Sequence, residues 1–443
     1  MTILNTIPFT GDLTDIEKKF TGRKTSVNKE VTDAVADIID TIREQGDSAL
    51  FAYAKQFDGA ELTADTLTVT PEEFDAGVAV VDADYIRILE RTKSQIEEYH
   101  THQLENSWIL PKADGTILGS IVRPLKRVAL YVPGGTAAYP STVMMNAVPA
   151  KLAGVPELVI ITPVKTDGKV NPVILAAAKV AGVDKIYKVG GAQGVAAVAY
   201  GTESVAKVDK IVGPGNLFVA TAKKLCYGAV DIDMIAGPSE VLVIADKNAN
   251  PKYVAADLMA QAEHDKLASA ILVTTSDALV EKVNVELDRQ IQKLPRREII
   301  ESSMNNYGGA IVVADIQEAF AVSNQLAPEH LEILTTDPLA KLPLVENAGS
   351  IFLGENTPEP LGDYMSGTNH VLPTGGTAKF YSALGVYDFV KHSAYSYYPR
   401  EVLATFNSDV QKFAFSEGLQ GHANSIAVRF EDNVTGEQAE KLN

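Results

Sequence analysis

The hydrophobic and polar positions follow two different patterns along the chain. In the first hundred residues, apolar positions recur at helical spacing, as in the segment from Val31 to Ile42, and predict an amphipathic helix that ends near Gly46. A second, more charged helical pattern extends from about Pro71 to Gln103. Residues 1–25 are polar and interrupted by proline and glycine, so we expect an arm outside any core.

From Arg127 onward, short apolar runs that end in glycine or proline alternate with helical patterns of about a dozen residues. This alternation is typical of βαβ units and a parallel sheet, in which ligands bind at loops after the strands. It resumes after Ser239 and stops near Ser382, so we predict an α/β protein with two tandem, incomplete Rossmann-like domains and a small helical tail. The predicted organisation is an arm (1–25), a first α/β domain (26–127 and 239–381), a second α/β domain (128–238) and a tail (382–443).

Composition narrows the class of protein. The chain has 443 residues, of which 46% are hydrophobic and 22% charged, as expected for an ordinary globular protein with more than one domain. Its net charge of −18 argues against binding to nucleic acid or an anionic membrane, since both require a basic surface. No secretory signal or membrane-spanning run is visible, so we expect a cytoplasmic protein. A single cysteine, Cys226, excludes disulfide frameworks and Cys-based zinc sites, and its apolar helical context indicates a core residue.

Three glycine-rich loops follow predicted strands: Val132–Gly135, Gly190–Gly194 and Gly213–Asn216. None has the GxGxxG fingerprint of dinucleotide-binding folds. Each loop fits either an ordinary tight turn or backbone N–H groups that hold a phosphate at a helix N-terminus. Because three such loops stand at successive strand ends, we favour a nucleotide or dinucleotide bound in a degenerate Rossmann-like way.

Polar residues suited to catalysis or metal binding occur in the second half of the chain. Gln261 and His264 are three residues apart at the end of a helix predicted to begin at Asn250, so they project from the same side. An amide oxygen beside an imidazole can form half of a metal site, although a solvent-facing helix end has the same pattern. Glu329 and His330 are adjacent, and represent either two proton-transfer groups or a surface dyad.

The remaining histidines differ in context. His370 follows Asp363 by seven residues through a glycine-containing turn. His422 follows Glu417 across two glycines, so a continuous helix between them is not expected. Three others are interpreted as solvated surface residues: His100, His102 and His392.

Long segments of the chain resemble the histidinol dehydrogenases, zinc enzymes of the last two steps of histidine biosynthesis. The likeness extends from about Val31 to Arg429. It includes YVPGGTAAYPSTVMMNAVPAKLAGV, GPGNLFVATAKK, AGPSEVLVIAD, AQAEHD, APEHLEI, GSIFLG and GDYMSGTNHVLPT. The resemblance implies an intertwined homodimer with shared active sites, one Zn²⁺ per subunit, NAD as cofactor and L-histidinol as substrate.

The resemblance also implies roles for individual residues. The implied zinc ligands are Gln261, His264 and Asp363 of one subunit and the partner subunit's His422. The implied acid–base pair is Glu329 and His330. The implied substrate contacts are Ser239, Gln261, His264, His330, Asp363, His370, Glu417 and His422, with Glu417 reaching across the dimer. The implied NAD contacts are Tyr131, Gln193 and Asn216.

The reaction implied by the resemblance converts L-histidinol, two NAD⁺ and water into L-histidine and two NADH through bound L-histidinal. His330 takes the alcohol proton, and Glu329 activates water for the second oxidation. Cys226 has no base beside it in the sequence, which disfavours a thiohemiacetal route. Two rival classes are a non-catalytic nucleotide-binding α/β protein and a related zinc dehydrogenase for another amino alcohol or a polyol sulfonate. The complete residue set speaks against the first, and His370 with Glu417 speaks against the second.

Overall fold

The computed structural model describes residues 4–21, 29–134 and 138–433. Gly135 of the first glycine-rich loop, parts of the predicted arm (1–3 and 22–25) and the end of the predicted tail (434–443) lie outside these residues. The described chain forms two compact units, a larger one within 1–104 and 124–389 and a smaller one within 105–123 and 390–443. No helix in the described part combines the length and the apolar character needed to cross a membrane.

The strands are β1 (Thr6–Pro8), β2 (Trp108–Pro111), β3 (Ile117–Pro124), β4 (Arg127–Tyr131), β5 (Glu157–Ile161), β6 (Lys185–Tyr187), β7 (Lys210–Val212), β8 (Asp231–Ile232), β9 (Glu240–Ala245), β10 (Ser269–Thr274), β11 (Gly309–Val312), β12 (His330–Leu334), β13 (Ser350–Leu353) and β14 (Val390–Tyr397). The α-helices are α1 (Leu13–Thr21), α2 (Lys29–Gln45), α3 (Asp47–Tyr53), α4 (Pro71–Ala79), α5 (Ala83–Thr101), α6 (Pro140–Leu152), α7 (Pro172–Ala181), α8 (Gly191–Tyr200), α9 (Leu217–Cys226), α10 (Pro251–Ala262), α11 (Asp277–Ile291), α12 (Arg297–Tyr307), α13 (Ile316–Leu326), α14 (Glu359–Tyr364), α15 (Arg400–Ser416) and α16 (Gln420–Ala427). A π-helical turn spans Ala54–Asp58, and short 3₁₀ helices span Leu339–Leu344, Thr377–Lys379, Val386–Phe389 and Val428–Asn433.

Two parallel sheets form the framework of the larger unit, which confirms the predicted α/β class with parallel sheets. The five-stranded sheet has the order β6-β5-β4-β7-β8, and the six-stranded sheet has the order β1-β11-β10-β9-β12-β13. Strands β9 and β10 are buried along their whole length, as expected for continuous apolar strands between two helical layers. The order of connection reverses between β4 and β7 in one sheet and between β9 and β12 in the other. Such switch points open a crevice at the sheet edge.

Helices α2 and α5 pack against the five-stranded sheet. Val35 and Ile42 of α2 and Ile96 of α5 share a hydrophobic core with Val128 of β4 and Leu158 of β5. The prediction that residues 26–127 belong with the strands after residue 239 is therefore wrong for these helices. An amphipathic pattern specifies which helix face is buried but not which sheet covers it.

The predicted N-terminal arm is part of the six-stranded sheet instead. Strand β1 pairs in parallel with β11, and Ile7 of that strand is buried together with Ile16 and Phe20 of α1. The expectation of an arm outside any core is wrong for the described residues 4–21. A three-residue edge strand is too short to show period-2 alternation, so its sequence carried no strand signal.

The smaller unit combines three strands with α15 and α16. Strand β3 lies between β14 and β2, and it pairs with β2 in the antiparallel direction. The prediction of a helical tail is confirmed for α15 and α16 and wrong for β14, which is exposed over most of its length. With no buried face, β14 has no alternation of apolar and polar residues to mark it as a strand.

Candidate functional site

Two helices bring polar side chains to one end of the six-stranded sheet. Asn250 caps α10, accepting a hydrogen bond from the first turn, and Pro251 occupies the first helical position, as predicted. The helix ends at Ala262, and His264 lies in the following turn, where its N–H donates to the Gln261 carbonyl at 3.2 Å. This turn keeps Gln261 buried and leaves His264 exposed.

Helix α14 supplies the second pair of polar side chains. Glu359 is its first residue and Asp363 follows four positions later, so both carboxylates lie on one face of the helix. One potential metal-ligating atom from each of Glu359, Asp363 and His264 lies within 4.8 Å of the others. This separation suits a cation held between the three side chains.

The Gln261 amide lies between an acceptor and a donor. One end of it is 2.7 and 2.8 Å from the two carboxylate oxygens of Glu359, and the other end is 3.1 Å from the backbone nitrogen of Glu240. With its nitrogen toward Glu359, the amide forms hydrogen bonds at both ends. With its oxygen toward Glu359, the amide oxygen faces the carboxylate oxygens, so that hydrogen-bond acceptors face each other. A bound cation would stabilise this arrangement.

Buried carboxylates surround this amide. Glu359 and Glu332 are fully buried, and the Glu359 N–H donates to Glu332 Oε1 at 2.9 Å. Burial raises the pKa of Glu359 to about 7 and that of Asp257 to about 6, and it raises the pKa of Glu332 well above its usual range. Within the described ranges, no lysine or arginine forms an ion pair with these three acids. The region therefore needs protons or a cation to offset its charge.

Glu329 and His330 stand where β12 begins. His330 Nδ1 lies 3.0 Å from the Glu240 carbonyl oxygen, which can only accept, so Nδ1 carries a proton and donates it there. His330 Nε2 is buried, lies 3.8 Å from Asp363 Oδ1 and has no hydrogen-bond partner among the described residues. In the neutral ring, the Nε2 lone pair is thus available to accept a proton.

The surroundings of Glu329 and His330 favour the protonated form of each residue. Burial raises the pKa of Glu329 to about 8, and Glu329 Oε2 accepts a hydrogen bond from the Glu240 N–H at 2.9 Å. Burial opposes a charge on His330, but Glu329 and Asp363 outweigh it and raise the pKa of His330 to about 10. Two proton-transfer groups therefore lie side by side, with Nδ1 of His330 and Oε2 of Glu329 3.6 Å apart.

His370 and Ser239 complete this cluster. His370 Nδ1 donates to the Asp363 carbonyl oxygen at 3.1 Å, and burial lowers the pKa of His370. Ser239 directly precedes Glu240, whose backbone contacts both Glu329 and His330. Because β9 and β12 are parallel neighbours, His330 at the start of β12 pairs with Val241, the second residue of β9. The structure brings together Gln261, His264, Glu329, His330, Asp363 and His370, with Ser239 at the same edge.

The three predicted cofactor contacts lie at the carboxyl edge of the five-stranded sheet. Tyr131 ends β4, and Asn216 caps α9 after β7, so the two flank the switch point of this sheet. The Tyr131 hydroxyl accepts a hydrogen bond from the Gly191 N–H at 3.2 Å, and buried Gln193 lies in the first turn of α8. The loop after β7 lies close to the end of β4, since a Cβ on Gly213 (φ +107°) would stand 2.4 Å from the Tyr131 carbonyl oxygen.

A buried ion pair that sequence analysis missed holds the loop after β7. Lys223 Nζ donates to the Gly213 carbonyl at 2.9 Å and to Asp233, and Asp233 Oδ2 accepts from the Gly213 N–H at 2.7 Å. Both side chains are almost fully buried. The pair therefore fixes both backbone polar groups of Gly213, the residue that opens the Gly213–Asn216 loop.

Comparison with known proteins decides the family. Residues 21–430 match the family model described as histidinol dehydrogenase. The chain belongs to the histidinol dehydrogenase family. It is 70% identical to the histidinol dehydrogenase of Lactococcus lactis subsp. lactis (strain IL1403), covering 97% of this chain and 100% of that protein. It is 56% identical to that of Clostridium acetobutylicum (strain ATCC 824) over 92% of this chain and 94% of that protein.

A solved structure extends the comparison to the fold. The crystal structure of histidinol dehydrogenase from Elizabethkingia anophelis aligns with a TM-score of 0.91 and 35% sequence identity. The alignment covers 98% of this chain and 100% of that chain. The mixed α/β fold with parallel sheets is therefore that of the histidinol dehydrogenase family.

The other candidate residues of this histidinol dehydrogenase family member lie in different places. Glu417 follows α15 and His422 lies in α16, so no continuous helix joins them, as predicted, and both residues are exposed within the smaller unit. His392 is exposed, as predicted, although on β14, and its Nε2 lies 2.5 Å from Glu105 Oε2. His102 is also exposed, as predicted.

The prediction that His100 is a solvated surface residue is wrong. His100 is completely buried at the end of α5, and its Nδ1 lies 2.7 Å from Gln103 Oε1. Neighbouring glutamates made the segment look uniformly exposed. The helix end instead turns this one ring inward, where Gln103 pairs with Nδ1 and Nε2 has no hydrogen-bond partner among the described residues.

Proposed function

We propose that the protein oxidises L-histidinol to L-histidine in two NAD-dependent hydride transfers, through L-histidinal that stays bound. The observation that carries this proposal is the buried Nε2 of His330, which has no partner in the described structure and faces Asp363 at 3.8 Å. In a histidinol dehydrogenase family member, such an atom is suited to take the proton of a substrate hydroxyl.

The same edge of the sheet suits a zinc ion, one per subunit. Gln261, His264 and Asp363 would hold it, with the partner subunit's His422 as a further ligand. The donor set of amide, imidazole and carboxylate fits Zn²⁺, and the excess of buried acids nearby fits a cation. When bound, zinc supplies a Lewis acid that orients the substrate's nitrogen groups and polarises its hydroxyl.

His330 acts as the base of the first oxidation. In the neutral ring, Nδ1–H is donated to the Glu240 carbonyl, which leaves the lone pair on Nε2. A cation held by Asp363 would offset one of the carboxylates that raise the pKa of His330, and would thereby favour this neutral ring. The hydroxyl proton moves to Nε2 as the hydride leaves. NAD⁺ supplies the acceptor for this hydride and for the second one.

Glu329 acts as the base of the second oxidation. It takes a proton from water as the water oxygen attacks the aldehyde carbon of bound L-histidinal. The Glu240 N–H holds Glu329 Oε2 in place, and burial brings the pKa of Glu329 to about 8, within the range useful for proton transfer near neutrality. His370 and Ser239 hold the substrate, together with the partner subunit's Glu417.

The proposed NAD site is the crevice at the carboxyl edge of the five-stranded sheet. Its support is the position of Tyr131 and Asn216 on either side of the switch point, with Gln193 at the start of α8. The close approach of Gly213 to Tyr131 brings the loops after β7 and β4 together at this edge.

Replacing Cys226 by alanine is expected to leave kcat within about twofold of the unmodified protein, because the second oxidation uses water. The thiol is fully buried, and burial raises its pKa to about 12, so it carries no thiolate at neutral pH. Steady-state NADH formation from L-histidinol and from L-histidinal measures the effect. Selective loss of the aldehyde step would contradict a water-based mechanism.

We also propose a homodimer with shared active sites. Its support is the apolar surface of the smaller unit, where Trp108, Ile109, Leu110 and Phe413 are each at least half exposed. Such exposure is typical of a protein–protein interface. Mixing a His264→Ala variant with a His422→Ala variant should restore about a quarter of the unmodified activity, since half the random dimers are mixed and each has one intact site. Zero recovery after proven subunit exchange would place His422 in its own subunit's site.

Substrate preference tests the proposed activity against the related amino-alcohol dehydrogenases. Zinc-loaded protein should oxidise L-histidinol with a kcat/KM at least about 10³-fold above that for L-alaninol, which lacks the imidazole. Sites built to bind a polar group reject analogues without it, because their own buried polar groups are then left unpaired. Comparable values for the two alcohols would contradict an imidazole-specific site.

A further inference from the structure

We propose that Asn369 positions His370 for L-histidinol by tying the His370 loop, residues 365–371 after α14, to helix α6. The inference rests on the proposed function, in which His370 holds the substrate. Asn369 is 3% exposed, and both ends of its amide form hydrogen bonds within the protein. Its role is therefore to position another side chain rather than to bind the substrate.

The first argument is the turn that carries His370. Asn369 Oδ1 accepts a hydrogen bond from the Val371 N–H at 2.9 Å, which forms an Asx turn with His370 at its centre. This turn fixes the backbone from which the imidazole projects. The ring is held separately, because its Nδ1 donates to the Asp363 carbonyl at 3.1 Å. Loss of the Asn369 amide would thus release the backbone under the ring.

The second argument is a gap in the hydrogen bonding of α6. The residue four positions after Met145 is Pro149, which has no N–H, so the Met145 carbonyl lacks its regular helical bond. Asn369 Nδ2 donates to this carbonyl at 2.7 Å. Met145 is fully buried, and an unbonded carbonyl is costly there. Because the carbonyl can only accept and the Val371 N–H can only donate, the orientation of the Asn369 amide is fixed.

The third argument is what the bond from Asn369 to Met145 joins. Helix α6 directly follows β4, the strand that ends at Tyr131, and Met145 lies in the hydrophobic core of the five-stranded sheet. The His370 loop follows α14, whose Asp363 lies near the start of β12 in the six-stranded sheet. The substrate and NAD are proposed to contact different sheets. The Asn369 amide therefore fixes a substrate contact relative to the framework that carries the proposed NAD contacts.

The test measures kcat/KM for L-histidinol in zinc-loaded, full-length protein at saturating NAD⁺. The variants are Asn369→Ala, His370→Ala and the double variant, and the matched control is Asn284→Ala. The Asn284 amide also bridges two backbone groups, since it accepts from the Leu4 N–H at 2.9 Å and donates to the Leu4 carbonyl at 3.1 Å. These bonds lie beside β1, the edge strand of the six-stranded sheet.

We expect Asn369→Ala to lower kcat/KM by about 10- to 100-fold, because a displacement of about 1 Å in a positioning group can have an effect of this size. His370→Ala should lower kcat/KM at least as much. The double variant should lie within about threefold of His370→Ala, since both changes remove the same interaction. Asn284→Ala should lower the melting temperature and leave kcat/KM within about twofold of the unmodified protein.

A change at Pro149 separates positioning from stability. Pro149→Ala restores an N–H that can bond the Met145 carbonyl left unpaired by Asn369→Ala. Adding it to Asn369→Ala should raise the melting temperature by more than the same change does in the unmodified protein, and it supplies a folded form if Asn369→Ala alone is unstable. It should not restore kcat/KM, because the His370 loop stays detached from α6. Recovery to within about threefold of the unmodified protein would show that Asn369 only stabilises α6, and would overturn the inference.

A kcat/KM of Asn369→Ala within about threefold of the unmodified protein, with His370→Ala impaired, would overturn the inference and leave the proposed function standing. Losses that multiply in the double variant would also overturn it, because Asn369 would then act independently of His370. An unimpaired His370→Ala would overturn both the inference and the proposed substrate contact of His370. Failure of the unmodified protein to oxidise L-histidinol would overturn the proposed function together with the inference.

Discussion

Replacing His330 by alanine is expected to lower kcat for L-histidinol by about 10²- to 10⁴-fold, the range for loss of a positioned general base. The reason is the Nε2 atom, which is buried and unpaired in the described structure and carries the lone pair of the neutral ring, because Nδ1 donates to the Glu240 carbonyl. Steady-state NADH formation at saturating substrate measures the loss.

The control for His330→Ala is zinc content, which should remain at one ion per subunit because His330 is not a proposed ligand. A His102→Ala variant, altered at an exposed histidine of the larger unit, should retain full activity. Activity of His330→Ala within tenfold of the unmodified protein would show that another group takes the alcohol proton.

Replacing His264 by alanine is expected to remove the metal and with it more than about 10³-fold of kcat/KM, since Lewis-acid polarisation and substrate orientation are lost together. His264 supplies the imidazole among the ligating atoms of the proposed site, and its solvent exposure gives the metal a path of entry. Metal analysis after dialysis and turnover of L-histidinol measure the two effects.

Chelation supplies the matching measurement without a mutation. Treatment of the unmodified protein with a strong chelator should abolish turnover, and added Zn²⁺ should restore it. His264→Ala should not be restored at the same Zn²⁺ concentration. Full activity of metal-free protein would contradict the zinc-dependent account.

The parallel-sheet framework could be predicted from the sequence because its strands are buried on both faces. Continuous apolar runs such as Glu240–Ala245, and the helical patterns between them, can be recognised in the sequence without knowledge of tertiary contacts. Strands β1 and β14 lack such signals, because one is three residues long and the other is largely exposed. Their pairing is decided by tertiary contacts alone.

The candidate site was predicted only in part, for a related reason. Gln261 with His264 and Glu329 with His330 are visible as local pairs in the sequence. Glu359 had one signal, its spacing of four residues from Asp363, but a buried glutamate looks like an exposed one when only the sequence is read. The burial of Glu332 and Asp257, which raises the pKa of each, results from the packing of segments that are distant in the sequence.

The position of the site within the fold could not be derived from strand order either. The switch-point rule places a ligand at the carboxyl edge of each parallel sheet, and Tyr131 and Asn216 follow it. Glu329 and His330 instead lie where β12 begins, at the amino edge of the six-stranded sheet. Only the resemblance to histidinol dehydrogenases connected these residues to one site.

The number of NADH molecules formed per L-histidinol consumed tests the central claim most directly. Zinc-loaded protein, excess NAD⁺ and limiting L-histidinol are followed by NADH absorbance to completion, with L-histidine quantified at the end point. The account predicts a ratio of two and full conversion to L-histidine. A ratio of one, with L-histidinal released, would contradict two successive oxidations at one site and the assigned role of Glu329.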